Sequence, residues 1–315
     1  MQNFGNKTIT VVVPVYKGGL LARKAIQSLI DQTYKPIDII VINDGSPLVE
    51  DRKLPEVFGH RIRYVEQENR GLCHALNHAI FDLVSTPLIA RLDQDDWSCP
   101  DRLLKQVALL EDEQADACFC AVDKVTLRSK PLARHPDNLL EPVMYSPRLH
   151  GGIAHSTLLA RVDFLRSLGG YDQALYPCDD LDLSIRMSQA GKVMVHHEPL
   201  VNYLIHGDAN TFPTFWQMEI KTKYLHQYID RIGERESFEN WFDRVGRHLA
   251  SNRRERRLSY GRMYYRQAGL RIGTGRYLSG SAYLAAACAM NPKFFLTRFN
   301  GSLRFLARKS SKSGG

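Results

Sequence analysis

Thr8 to Val15 (TITVVVPV) is almost continuously apolar and β-branched, the mark of a strand covered on both faces and so of a central, parallel place in a sheet. From Leu21 the period changes: Leu21, Ala22, Ala25, Ile26, Leu29 and Ile30 fall on one side of a helix. Ile37 to Ile42 predicts a second buried strand ending in the turn signal Asn43-Asp44-Gly45-Ser46, and Arg61 to Val65 a shorter third. Leu72, Ala75, Leu76, Ala79, Ile80 and Leu83 mark another helix, and Pro87 to Leu92 another strand. After Pro100, placed at a helix start, Leu103, Leu104, Val107 and Leu110 share a face, and Ala117 to Val122 reads as strand. Such alternation predicts an α/β fold whose product is a right-handed, doubly wound parallel sheet with helices on both faces.

Beyond this point the pattern weakens. Residues 124–150 are rich in Pro and Arg without a clear period and read as loop; 153–205 carry only short strand and helix signals. From Thr211 onward the chain turns helical. Trp216, Ile220, Tyr224, Tyr228 and Ile232 form one stripe and Phe238, Trp241, Phe242, Val245 and Leu249 another, both read as helix core. The expected organisation is an α/β domain over 1–211, divisible into 1–123 and 124–211, followed by an α-helical extension over 212–315.

Charge sharpens that division. Residues 1–211 hold 22 Lys/Arg against 27 Asp/Glu, residues 212–315 hold 20 against 7, and from Arg256 onward 12 basic residues meet no acidic one. The extension therefore suits an anionic partner, whether a membrane surface, a phosphate-rich ligand or nucleic acid, or is a solvated basic face. The segment Arg253 to Lys312 interleaves these charges with Tyr264, Tyr265, Leu270, Tyr277, Leu284, Phe294, Phe295 and Phe305, which favours docking on an anionic membrane. The competing arrangement is a packed helical pair with Tyr277, Leu284 and the Ala-rich run as its core. No nucleic-acid-binding motif is present, and no nucleic acid is expected. Six cysteines without C-x-x-C spacing favour a reducing cytosol over a disulfide framework or a zinc knuckle. Neither a signal segment nor a bilayer-spanning apolar run is seen, so the expectation is a cytoplasmic protein, at most peripheral to the inner face of the membrane.

Ligands of open α/β sheets bind beyond the carboxyl ends of the strands, which gathers Pro14 to Lys17, Asn43 to Ser46 and Asp93-Gln94-Asp95-Asp96 on one edge. Crowded carboxylates repel and need water, donors or a cation; oxygen ligands on a short segment suit Mg²⁺ or Mn²⁺ beside a diphosphate. The same acids would also suit the N-terminus of the helix opening at Pro100. G-x-G-x-x-G and G-x-x-x-x-G-K-[ST] are both absent, which disfavours a dinucleotide dehydrogenase and a P-loop NTPase.

Taken in order, Val11-Val12-Val13-Pro14-Val15-Tyr16, Asn43-Asp44-Gly45-Ser46, Asn69-Arg70-Gly71-Leu72-Cys73-His74-Ala75-Leu76-Asn77 and Leu92-Asp93-Gln94-Asp95-Asp96 resemble the family-2 inverting glycosyltransferases of the GT-A fold. The likeness runs on through Gly169-Gly170-Tyr171-Asp172, Asp179-Asp180-Leu181-Asp182-Leu183 with Arg186, and His206, and covers roughly residues 8–211. The resemblance implies a Rossmann-like nucleotide-sugar-binding sheet and transfer from a nucleotide diphosphate sugar, a UDP-sugar, to a glycan or lipid-linked acceptor in bacterial surface polysaccharide assembly. It places Asp44 on uracil, with Pro14, Val15 and Tyr16 lining the same pocket. Asp93 goes to the ribose, and Gln94 and Asn69-Arg70-Gly71 to the donor. Asp95 and His206 go to Mn²⁺ or Mg²⁺, and Asp180 to the general base, with Asp179 standing where the family has Glu. Asp179 and Asp182 are expected to raise the pKa of Asp180, and which of the three is the base stays open, as does a purely helix-capping role. His206 also suits a structural histidine. Arg70 and Arg186 suit either the diphosphate and the acids or structural ion pairs. A catalytically inactive sugar-binding or scaffold module is the alternative for the whole chain.

Overall fold

All seven residues of β1 (Ile9–Val15) are buried, as a strand covered on both faces requires. The structure, a computed structural model, describes residues 7–126, 141–150, 153–205, 215–229, 235–273 and 276–297. Parallel to β1 run β2 (Ile37–Asp44) and then β3 (Arg63–Gln67) on one side and β4 (Leu88–Arg91) on the other. The connections are α1 (Gly19–Ile30), the short turns Val49–Arg52 and Leu54–Phe58, and α2 (Leu72–His78), which runs into a π-helical turn at Ala79–Leu83. Alternation along β1 divides the core. Ile9, Val11, Val13 and Val15 pack with Ala22, Ile26 and Leu29 of α1, and Val12 packs with Leu76 and Ile80 beside α2.

The rest of the sheet departs from the expected all-parallel arrangement. It is built from β5 (Trp97–Ser98), β6 (Ala117–Val125), β7 (Val143–Met144), β8 (Leu159–Arg161) and β9 (Val193–Leu204), with strand order β3-β2-β1-β4-β8-β6-β9-β5 and β7 on β9. β8 is antiparallel to both β4 and β6, and β5 and β7 are antiparallel to β9. Burial selects which faces of a strand are apolar but not which way it runs, so the pattern of 159–161 carries no direction. β9 is twelve residues long. Its signal breaks at His196-His197-Glu198-Pro199, where the pairing with β6 shifts register around Ala121.

Helices α3 (Arg102–Asp112), α4 (Val162–Ser167) and α5 (Asp179–Ala190) cover this half. On α3 the expected face is turned. Leu103, Val107 and Leu110 are buried but Leu104 is 42 % exposed, and the polar Arg102 and Gln106 point inward. They are drawn there by main-chain acceptors: Arg102 donates to the carbonyl oxygens of Arg91 and Leu158, and Gln106 to that of Thr157.

The chain forms two compact units, Met1–Leu204 with Leu225–Gly233, and Ile205–Tyr224 with Glu234–Gly315. In the second, Tyr224 and Trp241 are buried and their rings meet edge to face at 5.4 Å, as expected of core aromatics. Ile232 lies outside the described residues. Here α6 (Phe215–Leu225) precedes the short turns Phe238–Trp241 and Arg247–Ser251, and α7 (Arg253–Gly273) pairs antiparallel with α8 (Tyr277–Met290). The seam of that pair is made of small residues: Ala268, Ala287, Gly261 and Gly280 are buried. Tyr277, which the competing arrangement put in this core, is 67 % exposed. No helix among the described residues is long and apolar enough to cross a membrane.

A Cβ on Gly280 would stand 2.6 Å from Cγ1 of Ile272 and 3.1 Å from its backbone nitrogen. Gly280→Val is expected to destabilise this unit by about 1–3 kcal/mol. Ala282→Val, on the exposed side, should leave the thermal unfolding midpoint nearly unchanged. Equal midpoints for the two variants would show that the seam is not close-packed.

Candidate active site

β1 runs three residues past its last pair with β4, which ends at Val12 and Arg91, so the strands part at their carboxyl ends. Pro14 sits in this opened stretch, paired only with β2, where a missing N–H costs the sheet little. On this edge two helix N-termini are already occupied by the chain's own acids. Asp51, fully buried, accepts from the N–H groups of Gly18 and Gly19 at the start of α1 and from the Ser46 hydroxyl, at 3.0, 2.7 and 2.6 Å. Asp44 accepts from the N–H groups of Arg70 and Gly71 at the start of α2, at 3.0 and 2.9 Å, and from the Gln67 amide at 2.8 Å. Each carboxylate satisfies orphan helix donors and the dipole behind them. The turn depends on Gly45 (φ 66°), since a Cβ there would meet the Asn69 nitrogen at 2.6 Å.

Gln94 locks the acidic loop to β1. Its amide donates to the Tyr16 carbonyl at 2.9 Å and its oxygen accepts from the Tyr16 N–H at 2.8 Å. Below, the buried Arg91 donates to Asp93 at 2.8 Å and to the Tyr171 hydroxyl at 3.3 Å. Tyr171 in turn meets Nδ1 of buried His155 at 3.0 Å, and Nε2 of that ring lies 2.8 Å from the Ser184 hydroxyl on α5. One hydrogen-bonded chain thus joins the acidic loop to α5. Asp96, 2 % exposed, accepts from the Leu204 N–H at the end of β9. Burial, reinforced by Asp93 and Asp95, pushes its carboxyl up to about 8.

α5 opens on Asp179, Asp180 and Asp182. Burial first, then the charge of Asp179, pushes the Asp180 carboxyl up to about 7. Part of the Asp180 surface remains open to solvent, whereas Asp179 is 4 % exposed and its carboxyl bonds the Cys73 thiol. Asp182 does not contribute as expected: it is fully buried and held by Arg186, which donates to it from Nε at 2.9 Å and from Nη2 at 2.5 Å. Arg186 also donates to the carbonyl oxygens of Leu168 and Gly170, so its charge is spent on the turn before α5 rather than on a ligand. That turn is pinned by Asn77, whose side chain accepts from the Tyr171 N–H and donates to the Tyr171 carbonyl, both at 2.8 Å.

Sequence reasoning missed Tyr203. Its phenol pKa is raised, by burial first and then by the charges of Asp96, Asp93, Asp95 and Asp180, which places it among all four carboxylates. An aromatic near the end of an interrupted strand gave no signal of this. Asn69 and Arg70 are exposed on the loop capped by Asp44. Beside that loop opens a cleft of about 520 Å³ lined by Gln67, Glu68, Arg70, His74, Asn77, His78, Phe81 and Asp82, none of them from the acidic loop.

His206 lies outside the described residues. Among the described residues no three His, Cys, Asp or Glu side chains converge to hold a metal ion. The donor set at Asp93 and Asp95 fits a cation of another kind, one held by one or two carboxylates and completed by substrate phosphate and water. Asp93 and Asp95 add to the burial that raises the Asp96 carboxyl, and theirs is the negative charge such an ion would offset.

Comparison with known proteins agrees with this architecture. The model of the family described as Glycosyl transferase family 2 matches residues 10–165. Over 226 residues the chain is 30 % identical to an uncharacterized glycosyltransferase of Rickettsia prowazekii, a stretch that covers 69 % of this chain and 70 % of the relative. Over 110 residues it is 40 % identical to Glycosyltransferase GlyA of Streptococcus pneumoniae, covering 34 % of this chain and 16 % of that protein. Its structure is similar to that of S. aureus TarS in complex with UDP-GlcNAc, with a TM-score of 0.59 at 13 % identity over 90 % of this chain and 91 % of that one. The chain belongs to glycosyl transferase family 2, and its mixed sheet with surrounding helices is the GT-A glycosyltransferase fold.

Arg186→Met should remove the cation that balances buried Asp182 and lower stability by about 2–4 kcal/mol, since the arginine is itself only partly exposed. Calorimetry of donor binding to the folded variant is expected to give an unchanged Kd. A large loss of donor affinity without loss of stability would return Arg186 to the ligand.

Proposed function

We propose that this glycosyltransferase moves a sugar from a UDP-sugar to a hydroxyl of a glycan or lipid-linked acceptor with inversion at the anomeric carbon. The observation that carries the reading is Asp180: a partly accessible carboxylate, titrating near neutrality, on the same edge as Asp93 and Asp95. A base that must take a hydroxyl proton works best with its pKa near the working pH. One base with no second carboxylate assigned as nucleophile gives a single displacement, hence inversion. TarS, which shares the fold, has been solved with UDP-GlcNAc, which supports the donor class.

The diphosphate poses the larger electrostatic problem. Many α/β proteins seat phosphates on helix N-termini, but here Asp44 and Asp51 fill those of α2 and α1. Charge on the leaving group must be met elsewhere, and Asp95 is suited to hold Mg²⁺ or Mn²⁺ there, beside Asp93, which Arg91 holds for the ribose. When bound, the cation supplies neutralisation of the developing diphosphate charge. With its carboxylate tied to the loop at Arg70 and Gly71, Asp44 has a free lone pair's worth of accepting capacity for the base N–H and holds the loop edge against it. Asp180 takes the acceptor proton on the opposite face of the sugar.

Asp180→Asn is expected to lower kcat at least about 100-fold while leaving donor Kd nearly unchanged. In the wild type kcat should rise with pH through about 7 and level off above it, because only the deprotonated Asp180 accepts the proton, and the variant should lose this limb. A flat wild-type profile between pH 6 and 8, or an active variant, overturns the assignment and leaves Asp179 as the candidate.

Asp95→Asn, or excess chelator on the wild type, should abolish most turnover and weaken UDP binding measured by calorimetry. A rate within about twofold of the control is below the smallest loss expected of a metal-site residue and would rule out the cation reading.

A further inference from the structure

Helix α8 carries no charged residue in its fourteen positions (YLSGSAYLAAACAM), yet one whole side of it faces solvent. Gly280 and Ala287 are buried toward α7, while Leu278 (92 % exposed), Ala282, Ala285 and Ala289 look outward with Tyr277 beside them. The spacing of the outward four, at i, i+4, i+7 and i+11, makes a continuous stripe. A helix at a protein surface normally turns charge to water on that side, and this one turns only apolar and small groups. Both ends of the stripe are basic: exposed Arg276 immediately precedes the helix and exposed Lys293 follows it. Between Arg256 and Thr297 the sequence holds no acidic residue.

We propose that this face is a docking surface for an anionic phospholipid bilayer, with α8 lying in the plane of the headgroups. Leu278 and Tyr277 enter the acyl boundary while Arg276 and Lys293 meet lipid phosphates. At roughly 1.5 Å per residue the helix is about 21 Å long, too short to span the hydrocarbon core and long enough to lie along it. The exposed apolar face supplies area to bury, and the cations at its two ends supply attraction to anionic headgroups. A second copy of the chain fits less well. Symmetric pairing of these faces would bring two basic flanks together, and the helical pair offers no acid nearer than Glu255 to balance them. This inference stands apart from the donor and acceptor proposed above, and its test does not measure turnover.

The full chain is to be sedimented with vesicles of phosphatidylcholine alone or with phosphatidylglycerol added, at low and high salt. Binding is expected only with the anionic vesicles, and release is expected at high salt. Arg276→Gln combined with Lys293→Gln should weaken binding about 25-fold, from about 1 kcal/mol for each charge. Leu278→Asp should weaken it at least about tenfold through loss of the buried apolar group and added repulsion. Its melting temperature should be unchanged, because the side chain is exposed. Equal binding to neutral vesicles, no binding to anionic ones at low salt, or wild-type binding by the charge variant would overturn the proposal. So would a solution dimer that Leu278→Asp dissociates, which would assign the face to a second copy.

Discussion

The guanidinium of Arg91 lies buried where β4 ends, paired with Asp93 and felt by Asp179 and Asp180 at the start of α5. A buried charge is tolerable only when paired and hydrogen-bonded, and here the requirement is mutual: Arg91 needs Asp93 and Tyr171, and the acids need a cation beneath them. The geometry of the acidic loop follows from that pair. Asp93 is held from below by Arg91, Gln94 is clamped to Tyr16 and Asp96 to Leu204, so three successive anchors leave the loop little freedom. Through Tyr171, His155 and Ser184 the same anchor reaches α5, so the residue proposed as base is positioned by the structure that positions the acidic loop.

The first βα units use the same economy of charge. Asp44 at the end of β2 and Asp51 in the turn after it close the N-termini of α2 and α1, which fixes both helices to the sheet edge. The chain's own acids fill these helix ends, and they make the edge electronegative rather than electropositive. That sets it apart from nucleotide-binding folds in which the phosphate itself satisfies the helix end.

Much of this was legible from residues 8–123, because strands buried on both faces and one-sided helices leave periodic marks that do not depend on partners far away. The position of the acidic loop at the end of β4 was legible for a related reason, because the apolar run before it marks where the strand stops. What stayed hidden were the polar residues turned inward. Asp51, Arg102 and Gln106 carry no periodic mark, and each is buried because main-chain groups brought from elsewhere in the chain need a partner. Arg186 remained ambiguous until its acceptors, the Gly170 and Leu168 carbonyls, were placed beside it.

The raised carboxyls of Asp96, to about 8, and Asp180, to about 7, also give the protein a small proton reservoir at its working edge. Both groups start from 3.8 when exposed, so between that value and neutrality the folded chain holds protons that the unfolded chain has released. The contribution of these two groups to stability therefore falls as the medium becomes more alkaline through this window, the reverse of an acid held by a salt bridge. The protons are in effect the resident counter-ions of an otherwise overcharged edge. Any cation that settles there displaces them, so occupancy of the edge and the acidity of the surroundings are coupled quantities, each able to move the other.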